Sequence, residues 1–278
     1  MASAAQWVTI DADAASYQSG TSGLDPQIHL LDAAPDEVAR YVLILEAINF
    51  GSGWFDELDV PEGIAFTNHA TERLTADARA HDGPWTAAEL RAVDAVDVAD
   101  ILHQSPDHEL MALYAESLRQ LGRWLGGRRA LDAIESAAAG SAARLAQQLV
   151  AAMPAYADPG FFKRAQITAN DLVLAGVVTF SDVDRLTVFA DDLVPHVLRC
   201  DGVLRYSEPL AQRLDAGELL RHGEPMEVEI RACAVHACER LAERAGVPPR
   251  TLDTWLWHRG LALPEGGARP HRCRTTAY

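Results

Sequence analysis

Apolar residues recur at helical spacing along most of this chain, and signals for helix starts and ends separate one such stretch from the next. Thr86 and Glu89 have the spacing of a capping box, which marks a helix start. Gly126-Gly127 follows leucines at helical spacing and is typical of a helix end. The apolar-polar alternation of strands is almost absent, with one weak case at residues 63–74. The pattern therefore predicts an all-α fold with at most a short β-hairpin.

The predicted helices follow one another with short connections, which favours one compact helical bundle without a linker. Residues 1–23 are rich in Ala, Ser, Asp and Gly, and we expect them to form a flexible N-terminal arm. A single helical domain is then expected over residues 24–278. The predicted helices lie at about residues 35–49, 86–102, 110–125, 128–153, 161–174, 181–189, 193–198, 208–216, 226–245 and 250–257.

The charge balance bears on the partners of this chain. Asp and Glu total 40 against 24 Lys and Arg, which gives a net charge of −16. Nucleic acids are bound chiefly by Lys and Arg that neutralise phosphates, and domains that bind them are usually basic. A single nucleotide needs far fewer cations. The charge therefore argues against a nucleic acid polymer, whether DNA or tRNA, as partner or substrate.

The four cysteines, Cys200, Cys233, Cys238 and Cys273, form no Cys-x-x-Cys pair, so no zinc or other metal site is expected. The first residues lack the basic and apolar regions of a secretory signal. No apolar run is long enough to span a bilayer, so no membrane partner is expected. A cytoplasmic location with free thiols is the simplest interpretation.

Asp191 and Asp192 stand between two apolar runs, and this placement allows two interpretations. A carboxylate among apolar neighbours is partly desolvated, which raises its pKa and makes it chemically useful. The alternative is that the pair caps a helix over residues 193–198. From the spacing alone, the capping interpretation is favoured.

Four further segments stand in a fixed order with the stretch Phe189–Ser207. They are Tyr41–Phe50, Phe161–Ile167 with its Phe-Phe-Lys-Arg start, Glu227–Arg231, and Pro270–Arg274. Together the five segments resemble the queuosine salvage protein family, and the likeness runs from about Val38 to the last residue. The resemblance implies an all-α relative of helix-hairpin-helix DNA glycosylases. It also implies hydrolysis of queuosine 5′-monophosphate, which frees the base queuine without a metal or organic cofactor.

N-glycosidic cleavage builds positive charge on the sugar, and a carboxylate near the anomeric carbon stabilises it. The resemblance implies this catalytic role for Asp191, which matches the aspartate of a Phe-Ala-Asp motif. It makes Lys163 the catalytic companion, whereas the residues alone favour a surface lysine. Asp192 stands where the family often has an aromatic residue. It is expected to bind substrate, although it could also be a second acid or a helix cap.

Asn49, Phe50 and Trp54 offer an amide and aromatic faces for a base, although the two aromatics also suit a hydrophobic core. Queuine carries a secondary amine that is cationic near neutral pH, so a carboxylate should meet it. Asp56 and Glu57 are candidates. The residues expected to bind substrate are Asn49, Phe50, Trp54, Asp192, His196, Arg164, Glu229, His271, Arg272 and Arg274.

His196 stands where the family tends to have glutamine, and either side chain can hydrogen-bond a base. Glu227 and Arg231 have the spacing of a helical ion pair. His271, Arg272 and Arg274 form a basic cluster that either clamps the 5′-phosphate, ties down the last residues, or is solvated. Besides the hydrolase, two other functions are open. They are a non-catalytic binding protein for a modified nucleoside or its base, and a glycosylase of polymers, which the charge disfavours.

Overall fold

Helices dominate the computed structural model of the protein, which describes residues 5–21, 23–264 and 267–278. The all-α prediction is confirmed. The α-helices are α1 (Pro35–Ala47), α2 (Phe66–Ala80), α3 (Ala87–Ala92), α4 (Ala95–Leu102), α5 (Glu109–Leu125), α6 (Ala130–Ala138), α7 (Ala142–Ala152), α8 (Lys163–Leu174), α9 (Leu193–Cys200), α10 (Glu208–Asp215), α11 (Pro225–Ala245) and α12 (Pro249–Leu261). Two short strands, β1 (Val8–Ile10) and β2 (Leu204–Tyr206), complete the fold.

The signals that mark helix boundaries in the sequence act as predicted in two places. The Thr86 hydroxyl accepts a hydrogen bond from the Glu89 backbone N–H (3.3 Å) at the start of α3. α5 ends at Gly126, whose φ of 64° lies in the region that favours glycine. Local side chains and glycine geometry therefore set these ends.

Two predicted helices are each divided into a pair of helices. Asp94 interrupts the stretch 86–102, because its Oδ1 accepts the Val96 backbone N–H (2.8 Å) and so starts α4. The stretch 128–153 breaks at Ala139, which has a φ of 46° and is followed by Gly140. The helical residues were identified correctly in both cases, and the internal breaks were missed.

The hairpin considered at residues 63–74 is wrong, because most of this stretch belongs to α2. Phe66, Ala70 and Leu74 are four residues apart, and all three are buried. This spacing places them on one helix face. The weak alternation near Ile64 misled the interpretation.

The helix predicted at residues 181–189 is also wrong, since only one 3-10 turn forms there. The backbone N–H of Thr187 donates to Gln166 Oε1 (3.0 Å), and that of Phe189 donates to Asp253 Oδ1 (2.7 Å). Side chains of two other helices thus satisfy backbone groups that a helix would have paired internally. This irregular segment leads directly to Asp191.

The N-terminal segment contains a strand, not a loose arm over its whole length. β1 pairs antiparallel with β2, with Val8 opposite Tyr206 and Ile10 opposite Leu204. Val8 is buried, and its backbone N–H donates to Glu229 Oε1 (2.7 Å). The pairing of β1 with β2 joins segments far apart in sequence and is supported by α11, so the local pattern of apolar and polar residues did not predict it.

Two large hydrophobic clusters form most of the core. The larger cluster is built mainly from α1–α8, and the smaller one from α9–α12 with the two strands. The segment before α9 joins them, with Phe189 in the larger cluster and Val188 in the smaller. Within the described residues, no helix combines the length and the apolar character needed to cross a membrane.

Candidate active site

A cavity of about 470 Å³ lies where the two hydrophobic clusters meet. Its wall comes from the end of α1, the start of α2, α8, the segment before α9, α12 and the last residue. The polar residues in this wall that matter most for chemistry are Glu46, Asn49, Ser52, Lys163, Asp171, Asp191, Asp192 and Asp253. Both predicted catalytic residues are therefore at one cavity, together with Asn49, Phe50 and Asp192 from the predicted binding set.

Lys163 is the first residue of α8 and is held from two sides. Its ammonium group donates to Asn49 Oδ1 (3.1 Å), just beyond the end of α1. Its backbone N–H donates to Asp158 Oδ2 (3.0 Å). Since only 4% of its surface is exposed, Lys163 is a buried cation at the cavity and not a surface lysine.

Asp191 has the geometry of a helix cap and also lines the cavity. Its Oδ1 accepts the backbone N–H groups of Leu193 (2.9 Å) and Val194 (3.2 Å) at the start of α9. Capping and a chemical role are therefore compatible, because the second carboxylate oxygen takes no part in these two bonds. The cap fixes the orientation of the carboxylate.

Two further carboxyl groups lie near Asp191. Burial, followed by the charge of Asp191, raises the pKa of Asp192 to about 7, and the same two causes raise the pKa of Asp253 to about 7. Lys163 acts against both shifts. Asp253 Oδ1 accepts the Phe189 backbone N–H (2.7 Å), so Asp253 also supports the segment that carries Asp191.

Glu46 and Asp171 form a second carboxyl pair in the cavity wall. Burial raises the pKa of both groups, and they share a hydrogen bond that favours the proton on Asp171. Asn49 Nδ2 donates to Glu46 Oε2 (2.8 Å), and Asn170 Nδ2 donates to Asp171 Oδ1 (2.9 Å). A chain of hydrogen bonds thus runs from Lys163 through Asn49 to this pair.

Three carboxyl groups of the cavity wall were not predicted from the sequence: Glu46, Asp171 and Asp253. A usable signal exists for the first, since Glu46 is a lone acid in the apolar run of α1. Asp171 similarly precedes Leu172 and Val173 in α8. Acids on buried helix faces are rarely left unpaired, so such positions deserve a functional hypothesis.

Phe50 lines the cavity and contacts Tyr114 edge-on, with 4.9 Å between ring centroids. Trp54, in contrast, is buried outside the cavity wall, where its indole N–H donates to Glu109 Oε2 (3.0 Å). The alternative interpretation of Trp54 as a core residue therefore fits its position. Phe55 and Phe66 supply the aromatic surface beside Phe50 instead.

Arg164 is fully enclosed and serves the backbone. Its guanidinium donates to the carbonyl oxygens of Ala155 (2.6 Å), Thr276 (2.8 Å) and Glu46 (3.1 Å). It is outside the cavity wall, so the structure gives it a structural position and not the predicted substrate contact.

Two other predicted binding residues also lie away from the cavity wall. Glu229 accepts backbone N–H groups of the N-terminal strand, as described above. His196 is on α9, with its Nε2 3.7 Å from Cys200 Sγ. Neither residue is brought to Lys163 or Asp191.

The basic cluster of the tail is held by other side chains. Arg272 pairs with Asp56 and Arg274 with Glu57, so the candidate carboxylates for the queuine amine are engaged outside the cavity wall. His271 is buried, and burial lowers its pKa to about 3. These contacts match the tie-down interpretation of the tail better than the phosphate clamp.

The predicted pair of Glu227 and Arg231 forms within α11 at 3.1 Å. It is part of a larger buried group, because Arg231 also donates to both carboxylate oxygens of Asp158 (2.9 and 2.7 Å). The described residues contain no group of three or more His, Cys, Asp or Glu side chains arranged to hold a metal ion.

The fold and the cavity define a class: an α-helical protein with a cavity lined by carboxyl groups and one lysine. The chain belongs to the queuosine salvage protein family, whose sequence model matches residues 28–278.

Named relatives agree with this assignment. The queuosine 5′-phosphate N-glycosylase/hydrolase of Sphaerobacter thermophilus is 31% identical over 319 aligned positions, covering 99% of this chain and 94% of that protein. The protein of the same name from Schizosaccharomyces pombe is 33% identical over 144 residues, 46% of this chain and 42% of that protein. The one from Mus musculus is 37% identical over 116 residues, 37% of this chain and 34% of that protein.

Proposed function

We propose that this protein hydrolyses the N-glycosidic bond of queuosine 5′-monophosphate, yielding queuine and ribose 5-phosphate. The observation that carries the proposal is that Asp191 and Lys163 line the same cavity. Membership of the queuosine salvage family and the names of the relatives support the substrate.

Asp191 is the group that stabilises the sugar cation. Its Oδ1 is fixed by two backbone N–H groups, which leaves Oδ2 to face the anomeric carbon or a water molecule. A carboxylate held in this way needs no reorganisation when charge develops, which is the condition for effective electrostatic stabilisation. Asp191 also accepts the proton that water loses as it adds to the sugar.

Lys163 and Asn49 act as a positioned pair. The ammonium of Lys163 is held by Asn49 Oδ1, and Asn49 Nδ2 is held by Glu46. Fixed in this way, Lys163 contacts the ribose or the departing base and offsets part of the negative charge of the nearby carboxylates. Phe50 and the neighbouring aromatics provide the surface on which the base stacks.

The carboxyl pair of Glu46 and Asp171 suits the cationic amine of queuine. The pair is buried, shares a hydrogen bond and faces the cavity, whereas Asp56 and Glu57 are engaged with arginines. A cation or several N–H donors at this position would offset the cost of burying the pair. Recognition of the modified base is therefore assigned to this end of the cavity.

The proposal is tested by incubating a catalytic amount of protein with queuosine 5′-monophosphate and measuring queuine and ribose 5-phosphate by mass spectrometry. Many turnovers per protein are expected. Asp191→Asn keeps the capping oxygen and removes the charge, so turnover should fall by about 100-fold or more while the fold is retained.

Asp94→Asn is the matched control. Asp94 caps α4 with the same type of contact, accepting Val96 N–H (2.8 Å) and Asp97 N–H (3.1 Å), but it is exposed and outside the cavity wall. Its variant should keep full turnover. Stoichiometric binding without released queuine would instead identify a binding protein.

A further inference from the structure

Ser52 is a buried polar residue of the cavity wall that the proposed reaction does not yet use. It begins the 3-10 turn after Gly51, and only 9% of its surface is exposed. Its Oγ makes no hydrogen bond of normal geometry among the described residues, and the group beside it is Asp192. An unpaired buried hydroxyl is costly, so one that lines a cavity points to a ligand or a reacting group there.

Asp192 is the neighbouring carboxyl group, and its setting differs from that of Asp191. The N–H groups at the start of α9 go to Asp191, whereas no side-chain hydrogen bond of normal geometry holds Asp192 among the described residues. Asp191, Ser52 and Lys163 face it, and Tyr278 lies near it. Burial and the charge of Asp191 raise its pKa to about 7, so a large share of it is protonated at neutral pH.

Two adjacent carboxyl groups with different surroundings can take different roles in one reaction. When the N-glycosidic bond breaks, the base leaves with the bonding electron pair and must gain a proton. Asp191 is anchored by the N–H groups of α9 and is already assigned to the sugar cation and the attacking water, so another group must supply that proton. Ser52 adds a hydroxyl beside the acid, which can align the proton toward the base.

We propose that Asp192 is the general acid that protonates the departing base, with Ser52 as its positioning residue. This inference rests on the proposed function. The C–N electron pair moves to the base, which takes the proton of Asp192, and water forms the new C–O bond while its proton goes to Asp191. Transfer of that proton from Asp191 to Asp192 restores the starting state, so the net reaction consumes one water.

The decisive experiment compares two leaving groups. Queuosine 5′-monophosphate needs a proton on its base, whereas 4-nitrophenyl β-D-ribofuranoside 5-phosphate releases a phenolate that does not. Asp192→Asn should lower turnover of the nucleotide by about 100-fold or more and leave turnover of the nitrophenyl compound close to wild type. Asp191→Asn should lower turnover of both.

Asp253→Asn is the matched control. Asp253 lines the same cavity and has the same elevated pKa, but its Oδ1 holds the Phe189 N–H. Any loss in this variant should be equal for the two compounds. The control separates a proton donor from a carboxyl group that only supports the segment.

The pH profile gives a second measurement that does not depend on the nitrophenyl compound. Nucleotide turnover by the wild type should fall as pH rises through about 7, because the acid form of Asp192 is lost. Ser52 acts to lower the pKa of Asp192, so Ser52→Ala should move this fall to higher pH.

The outcomes distinguish this inference from the proposed function. Failure of the wild type to release queuine would contradict the proposed function itself. With normal wild-type turnover, the role of Asp192 is overturned if Asp192→Asn loses both activities equally or neither. It is also overturned if the variant keeps the fall near pH 7.

Discussion

Arg231 offers the sharpest test of what holds the segments of Asp191 and Lys163 together. Its side chain is fully buried and donates to both oxygens of Asp158, to Glu227 Oε1 (3.1 Å) and to the Ala190 carbonyl (2.8 Å). Arg231→Met keeps much of the length and apolar volume of the side chain. It removes every donor, so two buried carboxylates lose their cation.

The expected cost follows from the burial of these groups. Removing one partner of a buried ion pair typically costs about 3–5 kcal/mol, because an uncompensated charge remains in a low dielectric. Arg231 serves two carboxylates and one carbonyl oxygen, and its guanidinium lies 4.0 Å from the centroid of the Phe161 ring. We therefore expect a loss in the upper part of that range.

Urea unfolding followed by circular dichroism measures this loss as a change in the free energy of unfolding. Arg205→Met is the control, because Arg205 forms a single ion pair with Asp11 (2.6 Å) and 66% of its side chain is exposed. That variant should lose less than about 1 kcal/mol. Similar losses in the two variants would refute the reasoning from burial.

Three further predictions concern the substrate, the tail and pH. The protein should release queuine from queuosine-bearing tRNA much more slowly than from the mononucleotide, because a chain of net charge −16 repels a polyanion. Mass analysis of the released base measures both rates, and comparable rates would contradict this prediction. Replacing Arg272 and Arg274 together by Ala should change kcat/KM equally for the nucleotide and the nucleoside, because the two arginines pair with Asp56 and Glu57. A selective loss for the nucleotide would instead support the interpretation of this cluster as a phosphate clamp. Burial lowers the pKa of His271 from 6.5 to about 3, so its contribution to stability is complete above pH 6.5 and is lost as pH falls toward 3. In urea titrations, the free energy of unfolding of His271→Gln should therefore fall less steeply with acid than that of the wild type. An unchanged pH dependence would contradict this.

The fold was predictable where local chemistry decides it. The capping box at Thr86 and the glycine after Leu125 act through neighbours in sequence, so the local sequence is enough to predict these helix ends. The stretch 181–189 failed for the opposite reason. Its backbone N–H groups are satisfied by Gln166 and Asp253, and partners so distant in sequence leave no periodic signal.

The same distinction separates the cavity residues that the sequence indicated from those that it did not. Asp191 and Lys163 were identified because short segments around them resemble a family, and the structure brings both to the cavity. Trp54 and Arg164 stand in or near such segments too, yet they serve the core and the backbone. A motif indicates that a segment matters, but only tertiary contacts decide which of its side chains face the cavity.

Arg231 shows how much a correct local prediction can leave out. The spacing to Glu227 predicted an ordinary helical ion pair, and that pair exists. The same guanidinium also binds the Ala190 carbonyl, one residue before Asp191, and binds Asp158, which in turn accepts the Lys163 backbone N–H. One buried side chain of α11 thus fixes the starts of both segments that carry the proposed catalytic pair. Its loss should therefore disturb the distance between Asp191 and Lys163 as well as stability, and a misplacement of about 1 Å can cost about 100-fold in rate.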